Sequence, residues 1–430
     1  MKDLTKGNVV SQLILFSIPM ILSDLIQGIQ SIIDIFWLGR LTDYVGVSAV
    51  SITMPIVFIL MAILIGVGVS STILIGQAFG AKDYKILGKV LKNSFTITLV
   101  LSSILGLVGF TLSVPVLKLI GTPNNIFDLS LIYLQVLTIT LPLASIYNWF
   151  IGVTRGLGNS KIVLALSVIF IAIKFIITPL LISGFWIIPP LGVLGAAISS
   201  AIVELLLLII SYLYLTGKYE IIKNNIGFEL DRGVISKFIA IGLPVSIQMI
   251  IISLSVAVLM RFTSKFGEKA IATFGIGNRI DQFAFLPAMS MGMAIMTFVS
   301  QNLGANRDDR VSEVLKWGIA ISVYISLIVA VIVNLFATNI FEFFVSDNEV
   351  IMMGKSYLFI MSFSYVLMSV VFALQGVIRG AGDTLTVVII KAFSMIVIRV
   401  PIAYLLTFIV FKSPNGIWAS FFAVMLFESV

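Results

Sequence analysis

Twelve apolar stretches separated by short polar segments run the length of the chain. They cover residues 13–38, 47–75, 94–119, 129–153, 162–184 and 191–215, then 237–262, 271–299, 317–345, 356–378, 385–411 and 416–430. A helix needs roughly 20 mostly apolar residues to cross the hydrocarbon layer. Every stretch but the last reaches that length; the last has 15 residues, so the chain is expected to lack its C-terminal end. Within a bilayer no water pairs with open backbone groups, so segments of this kind are predicted as helices. The N-terminal MKDLTKGN and the apolar run after it superficially resemble a signal peptide. That run continues without a small-residue cleavage site and reads as a retained first helix. The expected fold is all-α and integral to the membrane, with about twelve transmembrane helices.

The polar segments reveal a repeat. QAFGAKDYKILGKVLK at 77–92 recurs as QNLGANRDDRVSEVLK at 301–316, with six identities at an offset of 224, and RGLGNS at 155–160 recurs as RGAGDT at 379–384. Pro19 and Pro244 stand at nearly the same spacing, each early in the first span of its half. Six spans, an even number, separate equivalent points, so the two six-helix repeats are parallel and are expected to be related by an axis along the membrane normal. The predicted domains are an N-terminal six-helix lobe (1–216), a cytoplasmic linker (217–236) read as a solvated connector, and a C-terminal six-helix lobe (237–430). A substrate pathway between the halves is the natural expectation.

Composition sharpens this picture. Of 430 residues, 59% are hydrophobic and 11% charged, against about 45–50% and about 25% in soluble domains. Without cysteine or histidine the chain has no thiol chemistry, no imidazole base and none of the usual zinc or haem ligands; no metal site and no cofactor are expected. The net charge of +7 collects in loops. With the span-edge residues Lys118, Lys237 and Arg261 counted in their adjoining loops, the N-terminus and the loops after even-numbered spans hold 16 Lys and Arg, the loops after odd-numbered spans 7, and the span interiors 4. By the positive-inside rule the N-terminus is cytoplasmic. Lipid, not nucleic acid, is the expected partner, in a cell membrane, as a monomer. The one GKS, Gly354 to Ser356, has Glu349 where a phosphate-binding loop requires glycine, so an ATP-driven pump is rejected, and no constellation marks an enzyme.

In order along the chain, Pro19 to Asp34 running into DIFWLGRL, the QxxGA signal after span 2 and its repeat after span 8, and the RGxG signals after spans 4 and 10 resemble the MATE family of multidrug and toxic compound extrusion transporters. The resemblance covers essentially the whole chain. It is nearest to the branch named for a DNA-damage-inducible protein, since the acidic positions that another branch carries in spans 7 and 10 are apolar or uncharged here. It implies a V-shaped two-lobe bundle that alternates access and exports small organic, often cationic, compounds against protons or sodium ions.

Charges inside the membrane cost roughly 2.5–3.5 kcal/mol each on insertion scales, so each needs a reason. Asp24, Gln27, Gln30, Ser31 and Asp34 fall within one arc of the first helix, a polar stripe expected to face a water-filled cavity. Burial disfavours the charged form of a carboxylate, which suits such a group to taking up and releasing a proton. Asp34 is the position that the resemblance implicates in coupling, with Pro19, Gln27 and Gln30 on the same cavity face; Asp24, nearer a helix end, reads first as structural. Many family members carry Asn, and four residues on Asp before Pro, in span 5, where KFIITP has Lys174, Thr178 and Pro179. A hard cation wants several oxygen ligands, and an ammonium repels it. Lys174 is therefore expected to pair with Asp34 in place of a bound cation, making coupling protonic, or altered. Ser200 falls near a hydroxyl position of the family's cation site. Ion coupling is thus assigned to Asp34, Lys174, Thr178 and Ser200.

The substrate cavity is assigned to Pro19, Gln27, Gln30, Asn148, Glu204, Asp281, Met289 and Met293. Glu204, one turn beyond Ser200, lines the cavity or meets Lys174. Met289, Met291, Met293 and Met296 in PAMSMGMAIM supply soft, adaptable surface or ordinary packing. Gly66, Gly68 and Gly292 read as close-packing positions. Asp281 is expected to find Lys391 as its inter-helix partner, and a structural ion pair is the bland alternative. Lys174, Arg279, Lys391 and Arg399 keep a second reading open, a flippase for lipid-linked saccharides, if they converge on one cavity where a pyrophosphate could bind.

Overall fold

The computed structural model describes residues 3–42, 44–186 and 189–430, and the side chains of Gln30 and Ser31 lie outside that description. Its main helices are α1 (Val9–Leu41), α2 (Tyr44–Gly80), α3 (Tyr84–Leu119), α4 (Asn124–Gly156), α5 (Ser160–Ser183) and α6 (Gly192–Lys218), followed by α7 (Arg232–Thr263), α8 (Glu268–Gly304), α9 (Asp308–Leu335), α10 (Asn348–Gly380), α11 (Thr384–Val410) and α12 (Asn415–Ser429). Among the described residues eleven helices are long and apolar enough to cross a membrane, α1 through α11. The twelfth, α12, has 15 residues. Large apolar side chains such as Leu107, Ile139, Phe58 and Ile409 point outward from these helices, which is the surface a hydrocarbon solvent demands.

The chain divides into two compact units, one of residues 22–246 and a second of residues 4–21 with 247–430. These units cut across the sequence halves. The first half of α1 belongs with the C-terminal helices and the first half of α7 with the N-terminal ones, and Pro19 and Pro244 each stand two residues before the point of exchange.

Within the first unit, α7 enters along α2. Ser70 Oγ donates to the Phe238 carbonyl at 3.1 Å, and a Cβ on Gly66 would run into the Gly242 carbonyl and stand 2.5 Å from Ser246 Oγ. Gly66→Ala should therefore lower the unfolding temperature of the detergent-purified protein, by the equivalent of about 1–3 kcal/mol for an overpacked contact. Gly68→Ala, with nothing within 4 Å of its Cβ position, should leave it unchanged.

The linker is not the solvated connector that its composition suggests. Asn93 and Thr96 on α3 accept the backbone N–H groups of Asp231 (2.6 Å) and Glu229 (3.1 Å). Lys89 meets Asp231 at 3.0 Å, Lys92 meets Glu229 at 3.6 Å, and Ile222 is buried. The hydrogen bond from Lys89 holds the Asp231 carboxyl below the usual carboxylate range, so this contact is present at neutral pH and is lost only as pH falls into the acid range.

In the second unit the N-terminal segment docks through the repeated motif: Gln301 accepts Leu4 N at 3.1 Å and Arg310 donates to the Gly7 carbonyl at 2.9 Å. Phe16 packs edge-on against Phe298 at 5.8 Å. The RGxG signals have one physical reading in both units. The last glycine takes the left-handed turn, Gly158 at φ 75° and Gly382 at φ 95°. The first lets α4 press on α2 and α10 on α8: a Cβ on Gly156 would stand 3.0 Å from the Thr72 carbonyl oxygen, and one on Gly380 2.8 Å from that of Met296. Helix α11 is interrupted by two π-helical stretches, Phe393–Ile398 and Leu405–Val410, which flank Arg399–Tyr404.

Candidate functional site

Three helices of the first unit bring together three of the four residues expected to couple ions. Asp34 on α1, Lys174 on α5 and Ser200 on α6 are 5%, 4% and 6% exposed. Lys174 Nζ donates to Asp34 Oδ2 and to Ser200 Oγ, both at 2.9 Å, and Ser200 Oγ lies 3.4 Å from the same Oδ2. The ammonium also stands 5.8 Å from the Phe170 ring centre, a favourable placement over an aromatic face. Asp34 Oδ1 is buried and makes no hydrogen bond of ordinary geometry among the described residues, so the lysine and the serine meet the carboxylate at one oxygen, Oδ2. Thr178 is fully buried one turn beyond Lys174 but is turned to Ser199 Oγ at 2.9 Å, away from the pair.

Glu204 lies within electrostatic reach of Lys174 and Asp34, and the Tyr133 phenol faces both carboxylates. Glu204 also borders a recess of about 30 Å³ lined by Val57, Leu60, Met61, Thr138 and Leu141, room for about one water. The arrangement is thus an ammonium paired with one carboxylate, with a second carboxylate, Glu204, in electrostatic reach but outside ion-pair distance, in surroundings that make any unpaired charge costly.

The remaining cavity assignments disperse. Gln27 is half-buried and donates to Ser23 Oγ at 3.2 Å, which meets Ser167 Oγ at 2.7 Å. Gln30, by its side chain, lies outside the described residues. Pro19 belongs to the second unit. Asn148 is exposed and donates its amide to the Ala144 carbonyl at 2.8 Å. The methionines of α8 split by face, Met291 and Met296 fully buried, Met293 half-buried and Met289 39% exposed.

Asp24 is an ion-pair member. Arg155 Nη2, from the RGxG signal, donates to its Oδ1 at 2.7 Å. In the second unit Arg379 donates to Gln248 Oε1 at 2.7 Å, and the two contacts span the same 131 residues. The repeat therefore carries one latch twice, ionic in the first unit and neutral in the second.

Asp281 does not meet Lys391. Its carboxylate receives the hydroxyls of Tyr365, at 2.7 Å, and Tyr357, while Lys391 pairs with Glu428 at 2.6 Å and Ser394 donates to the same Glu428. Glu428 lies in the short last span, which offered sequence reasoning no partner. Tyr133, Tyr357 and Glu428 escape a search by motif, yet Tyr133 and Tyr357, like Glu204 and Glu428, sit at the repeat offset of 224. Arg279 is exposed.

The MatE family model matches residues 19–180 and 244–405 of this chain, once in each half. The chain is 29% identical over 433 residues to the probable multidrug resistance protein YoeA of Bacillus subtilis, covering 98% of this chain and 93% of that protein. It is 26% identical over 425 residues to the multidrug export protein MepA of Staphylococcus aureus, covering 98% and 92%. Similar solved structures include a MOP superfamily transporter from Pyrococcus furiosus, at a TM-score of 0.90 and 20% identity over 99% of this chain and 96% of that one. Another is the Vibrio cholerae MATE transporter VcmN, at 0.90 and 20% over 98% and 94%.

Proposed function

This chain belongs to the MatE family, and from that membership and its buried Lys174–Asp34 pair we propose that it is a secondary-active exporter of small organic cations in exchange for protons. Its relatives are named for multidrug resistance and multidrug export, which supports the substrate class. The chain is a multi-pass membrane protein; the Lys and Arg count supports a cytoplasmic N-terminus in the cell membrane. The transmembrane gradient is the energy source, without a cofactor.

The observation that carries the choice of ion is Lys174 on Asp34 and Ser200. A sodium ion entering here would meet a fixed positive charge, and Thr178 spends its hydroxyl on Ser199. A proton needs no such ligand set. Protonating Asp34 removes the charge that holds Lys174 and leaves the ammonium with Glu204 as its remaining carboxylate. Release of the proton on the opposite face restores the pair. The flippase reading asks for several buried cationic side chains free to hold a pyrophosphate, whereas Lys174 and Lys391 are each neutralised by a carboxylate of their own unit and Arg279 is exposed, which leaves Arg399 as the one buried cation of the four without an ion-pair partner among the described residues.

Proteoliposomes holding the purified chain and a fluorescent organic cation test this. An imposed pH gradient is expected to drive substrate movement and an imposed sodium gradient at equal pH is not. Equal drive by sodium overturns the proton assignment. No drive by either, with translocation of a lipid-linked saccharide instead, overturns the exporter.

A further inference from the structure

The second unit repeats the cation of the Lys174 pair without its anion. The two family-model matches, 19–180 and 244–405, begin and end 225 residues apart, the spacing of Pro19 and Pro244, and that offset sets Arg399 opposite Lys174. In the motif before α11 the offset is still 224, and the added residue is absorbed by the π-helical stretch Phe393–Ile398, which ends beside Arg399. Such stretches are frequent at functional sites. The positions opposite Asp34 are Val258 and Leu259, and those opposite Ser200 are Val424 and Met425, so both acceptors are apolar whichever offset is taken.

The Arg399 side chain bears this out. The residue is 7% exposed, yet no carboxylate forms a salt bridge with it among the described residues. Its hydrogen-bonding contact is Met395 Sδ at 3.6 Å, its guanidinium lies 4.6 Å from the Phe421 ring centre, and Nε has no partner. Asp281, whose charge reaches Arg399, has both oxygens taken by Tyr357 and Tyr365, and Glu428 is taken by Lys391. A second buried donor is unmatched on the helix that carries Phe421: Trp418 Nε1, whose indole packs 5.1 Å from the Tyr357 ring. Phe421, under Arg399, is one turn along the same helix. Unmatched donors of this kind are costly in a buried setting, and a guanidinium fork matches a carboxylate.

We propose that Arg399, with Trp418, binds a monovalent anion of the carboxylate class inside the C-terminal unit, the ligand taking the place that Asp34 fills in the N-terminal one. The charge present argues against a multivalent ligand: Lys391 is neutralised by Glu428 and the Asp281 charge already reaches Arg399, so a pyrophosphate would be left largely uncompensated. The proposal does not depend on the coupling ion.

The test is the thermal unfolding of the detergent-purified full chain titrated with acetate or chloride at fixed ionic strength, wild type beside R399Q and W418F. A saturable rise in unfolding temperature with acetate is expected, absent in R399Q and shifted about fivefold to higher concentration in W418F, for one lost hydrogen bond. Saturation by chloride alone would keep the anion site and overturn the carboxylate class. An equal response in wild type and R399Q, or none in wild type, overturns the proposal. Should R399Q fail to fold, an unshifted midpoint in W418F does the same.

Discussion

Replacing Lys174 by methionine is expected to cost about 3–5 kcal/mol of stability, because it leaves the Asp34 carboxylate buried without its counter-charge. The size of the effect comes from desolvation: the intact pair gains little over an apolar one, but half a pair is expensive. It follows that Lys174→Met combined with Asp34→Leu should recover most of the loss, since well-packed apolar residues often replace a buried ion pair at no cost. Transport should stay abolished in both single variants and in the double one. Chemical unfolding and proteoliposome flux on the four proteins read the two properties separately. Simple addition of the two single costs in the double variant would mean that the residues do not act as a pair.

The second large effect is expected at the latch. Asp24→Asn should destabilise the protein by about 3 kcal/mol, the lower end of the range for a broken buried pair, because Arg155 and Asp24 keep 10% and 15% side-chain exposure. The corresponding change in the second unit, Gln248→Ala, removes one hydrogen bond to a guanidinium and should cost about 1.5–3 kcal/mol. Gln248→Asp rebuilds the ionic form of the latch around Arg379 and should raise the unfolding temperature. If Asp24→Asn unfolds like the wild type, the contact is ornamental and the repeat carries no common latch.

The helices were legible in the sequence because bilayer thickness imposes a length on each apolar run, and the repeat because its turns need particular residues. Gly158 and Gly382 both take a left-handed conformation, as do Lys82 and Asn306, each at φ 55° and 224 residues apart. The Lys174–Asp34–Ser200 contact was also legible, since a polar stripe on α1 and a lysine where relatives carry ion ligands leave few other partners. What escaped has a common physical cause. Partners such as Arg155 for Asp24, Glu428 for Lys391, or the two tyrosines for Asp281 lie on different helices, and their distances depend on helix rotation and crossing, which no spacing rule encodes. The exchange of the first halves of α1 and α7 between units likewise leaves no compositional trace, because each helix runs on as one mainly apolar span through the point of exchange. The linker misled for the opposite reason: its polar residues look like solvent contacts, but the backbone N–H groups of Asp231 and Glu229 are taken by Asn93, at the edge of the third span, and Thr96, inside it, whose spare acceptors a hydropathy reading does not register.

The lysine at the centre of the first unit is itself a cation on a leash. Its Nζ can travel only as far as the side chain allows, so to Asp34 it acts as a competitor at an effective concentration in the millimolar range or above. On the proposed function, an organic cation reaching this carboxylate would have to outbid a rival that never diffuses away. Weakly binding cations would lose that contest, so the tether would favour ligands that bring enough apolar contact of their own. It would also guard the gradient, since the tethered ammonium covers the charge on Asp34 through which small cations could otherwise leak.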